Sequence, residues 1–221
     1  MAAGAPPETR QSSSDLLVRD LLRGLYEGRY VPGQRLVEPD LMRRYGLGRS
    51  TVREAIKRLA AEGVVTLLPF RGAAIRQLSR SEARGISQIT ELMIGLACRL
   101  AAERIAEPGK RERIRERLER LLAFEAEADS FEQVRARNRF YRALVEAGGN
   151  AELARLLPGV QVHLLRTQLR QPRARQFADY REMAAAVLAG DPAAAEAAGR
   201  AHIRRVGEGI ESLPDEVFAP E

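Results

Sequence analysis

The stretch from Asp40 to Arg76 decides the fold of this protein, and it reads DLMRRYGLGRSTVREAIKRLAAEGVVTLLPFRGAAIR. Two short helical patterns meet at the glycine turn 46–48, and the second pattern ends at Gly63. The second helix carries one apolar stripe at helical spacing, formed by Val52, Ala55, Ile56, Leu59 and Ala60. Residues 64–68 and 73–75 then predict a hairpin. The stretch therefore predicts a helix-turn-helix followed by a β-wing.

The second helix of this stretch also has a basic face. Arg49, Arg53 and Lys57 recur every four residues, away from the apolar stripe, and hydroxyl side chains stand in the first turn. Such a helix suits the DNA major groove, where arginine reads guanine edges and backbone amides at a helix start hold phosphate. We therefore predict that the partner is double-stranded DNA. The predicted contacts come from Arg43, Arg49, Ser50, Thr51, Arg53, Arg71 and Gly72.

These residues are expected to differ in role. Arg49 and Arg53 are expected to read base edges or adjacent phosphates, and Arg43 to reach a phosphate. Arg71 stands at the tip of the predicted wing and is expected to enter or border the minor groove. Glu54 is expected to orient a neighbouring arginine. Because one helix-turn-helix reads only a few base pairs, we expect a homodimer on a two-fold symmetric operator.

The same stretch resembles the DNA-binding domain of the GntR family of bacterial transcription regulators. The segments that carry the resemblance are Val31-Pro32-Gly33, Arg35-Leu36, Leu41, Tyr45 to Ile56, Leu59, Glu62 to Val65 and Arg71-Gly72. Two positions depart from the family pattern, because Gly48 stands where serine is usual and Thr51 where proline is usual. Neither change removes a charged contact. The resemblance implies a DNA-binding regulator, most often a repressor.

Composition and charge are consistent with a DNA-binding protein. The 221 residues are rich in Ala, Leu, Arg and Glu and only 5% are aromatic, which is typical of a mostly helical protein. The chain is long enough for a second domain with its own core. Lys and Arg exceed Asp and Glu by five up to Leu78 and by one beyond it. The net charge of +6 is therefore concentrated with the helix-turn-helix, as a polyanionic partner requires.

The sequence also bears on the compartment. A single cysteine, Cys98, allows no intrachain disulfide and favours a reducing compartment. Cys98 lies in an apolar helical run, so we interpret it as a small buried hydrophobic residue rather than a nucleophile. No apolar run reaches the roughly 18 residues that a membrane span needs, and no signal-peptide pattern is present. We therefore expect a cytoplasmic protein with no membrane partner.

We expect four segments along the chain. Residues 1–12 are small, polar and proline-containing, and are expected to form a disordered tail. Residues 13–77 are expected to form the winged helix-turn-helix. Residues 78–214 are expected to form an all-helical domain that binds an effector and dimerises, and residues 215–221 a second tail.

The predicted fold class is mainly α. Three helices and a small β-wing are followed by an antiparallel all-α bundle of six or seven helices. Ser13 or Ser14 is expected to cap the first helix, and Ser79 or Ser81 the first helix of the bundle. A bundle of this kind can enclose a ligand pocket.

The second half of the chain resembles the FCD domain, the ligand-binding domain of the FadR branch of the GntR family. The resemblance covers about residues 81–213 and is less sharp than the N-terminal one. It is carried by Leu96 to Ala102, Phe140 to Leu144, Ala147 to Asn150, Ala189-Gly190-Asp191 and Arg200 to Ile203.

Many FCD domains hold a divalent metal through one Asp and three His. The positions aligned with that Asp and with the first two His are Arg137, Tyr141 and Tyr180, and only His202 is retained. One histidine does not hold a divalent ion, and arginine is not a ligand. His163, the other histidine, is not at a family ligand position. We therefore expect no metal and no other cofactor.

The replacements suggest a different kind of pocket. Arg137 and Tyr141 are one helical turn apart, and Tyr180 and His202 should converge on the same cavity if the bundle is kept. These side chains offer hydrogen-bond donors and one positive charge, which suits a carboxylate or phosphate on an effector. The alternatives are a solvated Arg137, core tyrosines with satisfied hydroxyl groups, and a core histidine retained without its metal.

Two further positions belong to this predicted pocket. Thr90 and Ile94 align with a polar Arg and Glu that are often found on the first FCD helix. That side of the pocket is therefore expected to be less polar than usual. We expect a small organic effector with an aromatic or aliphatic body, read by Tyr141, Tyr180 and His202, that weakens DNA binding.

Two other classes of function remain open. An enzyme is disfavoured, because the chain has very few lysines, no phosphate-cradling glycine-rich loop and no evident Ser/His/Asp set. A constitutive DNA-binding or architectural dimer, whose helical domain only dimerises, is the stronger alternative to a ligand-responsive repressor.

Overall fold

The computed structural model describes residues 12–69, 72–127, 130–157 and 172–220. The chain divides into two compact units, Met1–Arg76 and Gln77–Glu221. This division lies one residue before the predicted boundary. No helix in the described ranges is long and apolar enough to cross a membrane.

The first unit contains three helices and a small antiparallel sheet. The helices are α1 (Ser13–Tyr26), α2 (Glu38–Tyr45) and α3 (Arg49–Ala61). The strands are β1 (Arg35–Leu36), β2 (Val65–Leu68) and β3 (Gly72–Ile75), in the order β1-β3-β2. The predicted three-helix arrangement with a wing is confirmed.

Local sequence explains the ends of these helices. Ser12, not Ser13 or Ser14, caps α1, because its side chain accepts from the backbone of Asp15 while Asp15 accepts from the backbone of Ser12. The predicted disordered tail, residues 1–12, includes Ser12, and residues 1–11 lie outside the described residues. Gly46 ends α2 with φ 64°, a conformation that glycine adopts without strain.

The second unit is an all-helical bundle. Its described helices are α4 (Arg80–Glu103), α5 (Lys110–Leu122), α6 (Phe131–Gly148), α7 (Ala151–Leu156), α8 (Arg173–Ala189), α9 (Pro192–Glu211) and a short 3₁₀ helix, Asp215–Val217. Ser79 caps α4 through a reciprocal bond with Glu82, as predicted. The helix predicted at about 160–171, with His163, lies outside the described residues.

Helices α4 and α9 approach closely because glycine stands at their crossing. A Cβ atom at Gly199 would lie 2.9 Å from Sγ of Cys98 and 3.1 Å from the carbonyl oxygen of Ile94. Cys98 is fully buried there, and burial raises the pKa of its thiol to about 12. Cys98 is therefore a packing residue.

Residues 215–221 are predicted to form a tail, and the described part of this segment packs on the second unit. Phe218 is buried, and the guanidinium of Arg80 lies 4.3 Å from its ring centroid. The amide of Ala219 donates to the carbonyl of Leu78 at 2.9 Å. The segment packs on the start of α4 because its aromatic side chain finds an apolar surface and a cation there.

Candidate functional site

Helix α3 is held by its apolar stripe and presents its basic face to solvent. Val52, Ala55 and Leu59 have no exposed surface and belong to the core of the first unit. Arg49 and Ser50 are exposed in the first turn, and Thr51 is half-buried. No side chain among the described residues caps the start of α3, where Gly48 is the N-cap. Its first backbone amides are therefore available to an anion such as phosphate.

Arg53 has a partner that the sequence did not suggest. Its Nε donates to both carboxylate oxygens of Glu38, at 3.0 and 3.1 Å. Glu38 stands in the first turn of α2 and is less exposed than Arg53. The 15-residue separation of the two residues gives no periodic signal in sequence.

Glu54 has a partner on another helix. Its carboxylate accepts from the hydroxyl of Ser14 at 3.2 Å, and so ties α3 to α1; its expected role in orienting a neighbouring arginine stays a prediction. Arg43, predicted to reach phosphate, pairs with Asp40 at 2.5 Å on the exposed surface of α2. An exposed pair of this kind exchanges readily with other ions.

The wing is described on both sides of its tip. Gly72 is exposed, starts β3 opposite Leu68, and has φ 85°. A residue with a side chain is strained at that angle, which accounts for glycine at this position. Arg71 lies outside the described residues, so its predicted minor-groove contact stays a prediction.

Three of the residues predicted to bind an effector come together inside the second unit. The hydroxyl of Tyr141 on α6 lies 2.7 Å from Nε2 of His202 on α9. The ring of Tyr180 on α8 lies 5.2 Å from the His202 ring and 6.3 Å from the Tyr141 ring, between centroids. Tyr180 and His202 are fully buried. Tertiary packing therefore joins positions that are 61 residues apart in the chain.

The Tyr180 hydroxyl is buried without a hydrogen-bond partner in the described part of the chain. The edges and faces of Phe140 and Phe177 surround its ring, with centroids 6.1 and 5.8 Å away. An unsatisfied buried hydroxyl costs about 1–3 kcal/mol, so a residue selected for packing alone would be phenylalanine. The alternative of a core tyrosine with a satisfied hydroxyl does not describe Tyr180.

A buried carboxylate that the sequence analysis missed lies behind His202. Asp179 on α8 is 1% exposed and its Oδ2 lies 3.0 Å from Nδ1 of His202. Arg205 donates to both of its oxygens, at 2.6 and 3.1 Å, and Arg175 donates at 2.7 Å. Desolvation opposes ionisation of Asp179, but the hydrogen bonds from His202, Arg205 and Arg175 outweigh it and lower its pKa. The spacing of Arg175 and Asp179, four residues on one helix, was the available signal.

The other predicted pocket residues have different surroundings. Arg137 is 8% exposed, which excludes the solvated alternative, and its guanidinium donates to Oδ1 of Asn138 at 3.2 and 3.4 Å. Thr90 donates its hydroxyl to the carbonyl of Ile86 in its own helix, at 2.7 Å. Ile94 is buried in the bundle core. Thr90 therefore has no proton left for a ligand.

The residues at the family metal positions do not fit a divalent ion. Both ring nitrogens of His202 are hydrogen-bonded within the protein, to Asp179 and to Tyr141. Within the ranges that the structure describes, no group of three or more His, Cys, Asp and Glu side chains could hold a metal. A hydrogen-bond chain runs from Tyr141 through His202 to Asp179.

Comparisons with known proteins agree on both halves of the chain. The family model "Bacterial regulatory proteins, gntR family" matches residues 14–75, and the FCD domain model matches residues 85–205. The resemblance inferred from the sequence motifs is confirmed for both domains.

Individual relatives are more distant. An uncharacterized HTH-type transcriptional regulator of Bacillus subtilis, YdhC, is 26% identical over 66% of either chain. A probable D-xylose utilization operon transcriptional repressor of Paenarthrobacter nicotinovorans is 28% identical over 84% of either chain. The first matches span 42% to 66% of the relatives' own lengths.

Solved structures show the same fold. A putative GntR transcriptional regulator from Rhodococcus sp. RHA1 superposes with a TM-score of 0.75 at 20% identity, covering 91% of this chain and 98% of that one. The mainly helical class with a small antiparallel wing is thereby confirmed.

Proposed function

This chain belongs to the GntR family of bacterial regulatory proteins and carries an FCD domain, and on that premise we propose that it is a transcription repressor. It binds a palindromic operator as a homodimer in the cytoplasm, and a small organic metabolite bound in the helical domain releases it. The family and the relatives found are DNA-binding transcription regulators, not enzymes.

The exposed basic start of α3 is the observation that carries DNA binding. Arg49 and Ser50 stand beside uncapped backbone amides, on a helix whose opposite face is buried. This arrangement offers charge, hydroxyl groups and free amides to one phosphate and one base edge at once. Repression is supported by the relative from Paenarthrobacter nicotinovorans, whose name describes a repressor.

The unsatisfied hydroxyl of Tyr180 carries the effector part of the proposal. A buried hydroxyl without a hydrogen-bond partner, beside the Tyr141–His202 pair, destabilises the folded state unless a ligand accepts its hydrogen bond. The proposal includes no metal, because the hydrogen-bond chain through His202 uses both of its ring nitrogens. A tenfold change in operator affinity requires the ligand to distinguish two states of the dimer by about 1.4 kcal/mol.

The proposal is tested with the full-length protein and a DNA site selected from a random duplex library. Analytical ultracentrifugation should show a dimer, and the selected site should be two-fold symmetric. Metabolites are then screened by thermal shift, and each hit is added to the protein–DNA complex. A hit that lowers operator affinity supports the repressor model. Tight DNA binding that no hit changes favours the constitutive alternative, and a strict monomer with full affinity contradicts both.

A further inference from the structure

An open cleft lies on the second unit, where the end of α5 meets the start of α6. Its volume is about 270 Å³, near the lower end of the range for small-molecule sites. Ala123, Phe124 and Ala136 give this α5–α6 cleft an apolar floor, and arginine side chains from both helices line it as well. The α5–α6 cleft shares no lining residue with the proposed effector site, so it is a second place where a ligand can bind.

The floor of the α5–α6 cleft is held in place by an arginine of α8. Arg173 donates from Nε to the carbonyl oxygen of Glu125 at 2.9 Å, and its guanidinium also donates to the carbonyl oxygen of Phe124. The same guanidinium donates to Oε1 of Gln133 at 3.1 Å, which ties the end of α5 to the start of α6. Phe124 packs against the bundle core. The cleft is therefore formed before a ligand arrives, which lowers the ordering cost of binding.

Some of the charges at the α5–α6 cleft are already compensated within their own helices. Arg120, which lines the cleft, pairs with Glu116 on α5 at 2.6 Å. Glu132, which also lines it, accepts from Arg135 on α6 at 3.1 and 3.2 Å. Each pair joins one cation to one anion, so the two pairs contribute no net charge to the cleft.

Arg117 and Arg139 supply the net positive charge of the α5–α6 cleft, one from each helix. Neither side chain makes a hydrogen bond or an ion pair within the part of the chain that the structure describes. Arg117 is half-buried and Arg139 is exposed. A guanidinium binds the oxygens of a carboxylate or a phosphate through its planar fork of N–H groups. The two arginines therefore favour an anion beside the apolar floor.

We propose that the α5–α6 cleft binds a small organic anion, with its apolar body against Phe124 and Ala136 and its carboxylate or phosphate held by Arg117 and Arg139. The volume suits a body of the size of a single aromatic ring. A neutral molecule of the same shape keeps the apolar contact but leaves both cations without a counter-charge, so the site prefers the anion. This site goes beyond the proposed function and does not depend on it.

The first test compares charged and neutral probes of similar shape. Benzoate and phenyl phosphate are the anionic probes, and benzamide, which has the shape of benzoate without its charge, is the neutral probe. Isothermal titration calorimetry on the full-length protein should show benzoate, phenyl phosphate or both binding at least about tenfold tighter than benzamide.

Two matched double variants locate the charge that binds the anion. Arg117→Gln/Arg139→Gln should lower the affinity for the preferred anion about tenfold, because both uncompensated cations of the cleft are lost. Arg115→Gln/Arg142→Gln removes the same total charge from exposed arginines of the same two helices that do not line the cleft. This control should keep the anion affinity within about twofold of wild type, because solvent screens exposed charges outside the site.

Two single variants locate the apolar body of the probe. Ala123 is exposed and lines the cleft, so Ala123→Trp should fill the cleft and lower the anion affinity without changing the charge. Tyr180→Phe, which changes the proposed effector site, should leave the anion affinity unchanged. Circular dichroism of each variant checks that the helices are retained.

Three results of these titrations would overturn the proposal. They are equal affinities for benzamide and the anions, equal losses in the two double variants, and no binding of either anion at millimolar concentration. Loss of anion affinity in Tyr180→Phe but not in Arg117→Gln/Arg139→Gln would place the anion in the proposed effector site and also overturn the proposal. The proposed binding of an operator is unaffected by any of these results.

Discussion

At the residue scale, Arg53 combines an observed contact with Glu38 and a predicted contact with DNA. The Arg53→Ala and Arg49→Ala variants are each expected to lose about 1–3 kcal/mol of DNA-binding free energy per half-site, because each removes a predicted base or phosphate contact. Arg43→Ala, which removes an exposed arginine already paired with Asp40, should cost less and act equally on all sequences. Fluorescence anisotropy with the selected site measures these differences; wild-type affinity in Arg53→Ala contradicts the assignment.

Glu38 allows a sharper test of the same contact. Glu38→Gln removes a negative charge near DNA, so charge alone predicts tighter binding to every sequence. If Glu38 orients Arg53, affinity for the selected site should fall about fivefold while affinity for unrelated DNA stays equal or rises. A uniform increase on both DNAs shows that the ion pair has no role in recognition.

At Tyr180, packing and the proposed ligand binding favour different side chains. In the ligand-free protein Tyr180→Phe should raise the free energy of unfolding by about 1 kcal/mol, because an unsatisfied buried hydroxyl is removed. Tyr141→Phe, which breaks the bond to His202, should lower it by about 1 kcal/mol. Urea unfolding followed by circular dichroism compares the two; a loss of stability in Tyr180→Phe means that its hydroxyl already has a partner.

At the scale of elements, Asp179 joins α8 to α9 and makes the stability of the bundle depend on pH. The pKa of Asp179 is lower in the folded state than in the unfolded state, where it is about 3.9. The ionised Asp179 therefore contributes fully to the free energy of unfolding above the unfolded-state pKa, and this contribution is lost as the pH falls through the folded-state pKa. Stability should therefore fall from about pH 5 downward. The Asp179→Asn variant should have a lower free energy of unfolding than wild type at pH 7, and this free energy should change less as the pH falls. The Glu125→Gln variant, which changes an exposed pair with Arg181, should show the same pH dependence as wild type.

The C-terminal segment is the second feature of this scale. The Phe218→Ala substitution should lower the free energy of unfolding by about 2–4 kcal/mol, because a buried aromatic side chain and its contact with the Arg80 guanidinium are lost together. Glu216→Ala, which changes an exposed neighbour, is the matched control. Urea unfolding of the two variants measures the difference. Equal free energies of unfolding would mean that the C-terminal segment does not contribute to the stability of the bundle.

At the scale of the whole molecule, we expect the proposed regulator to bind no metal ion. Protein purified without chelator should contain far less than one equivalent of Zn, Ni or Mn per chain, because His202 is engaged at both ring nitrogens. Elemental analysis after dialysis measures this. Near-stoichiometric metal that survives dialysis contradicts the assigned roles of Arg137, Tyr141 and Tyr180.

The sequence by itself determined the fold class, both domain families and the ends of most helices. These properties follow from local signals. Examples are the spacing of apolar residues in α3, the reciprocal cap formed by Ser79 and Glu82, and Gly46, which ends α2. Such signals depend on neighbours within a few residues, so they can be read without knowing the tertiary structure.

Only the tertiary structure decided which distant side chains share a proton or a charge. The pairs Arg53–Glu38 and His202–Asp179 join different helices, and no periodicity along the chain reports them. The same holds for the packing of Phe218 on Arg80 and for the missing partner of Tyr180. Hydrogen bonds and burial depend on distances of a few ångströms between elements, and these distances exist only after the helices have packed.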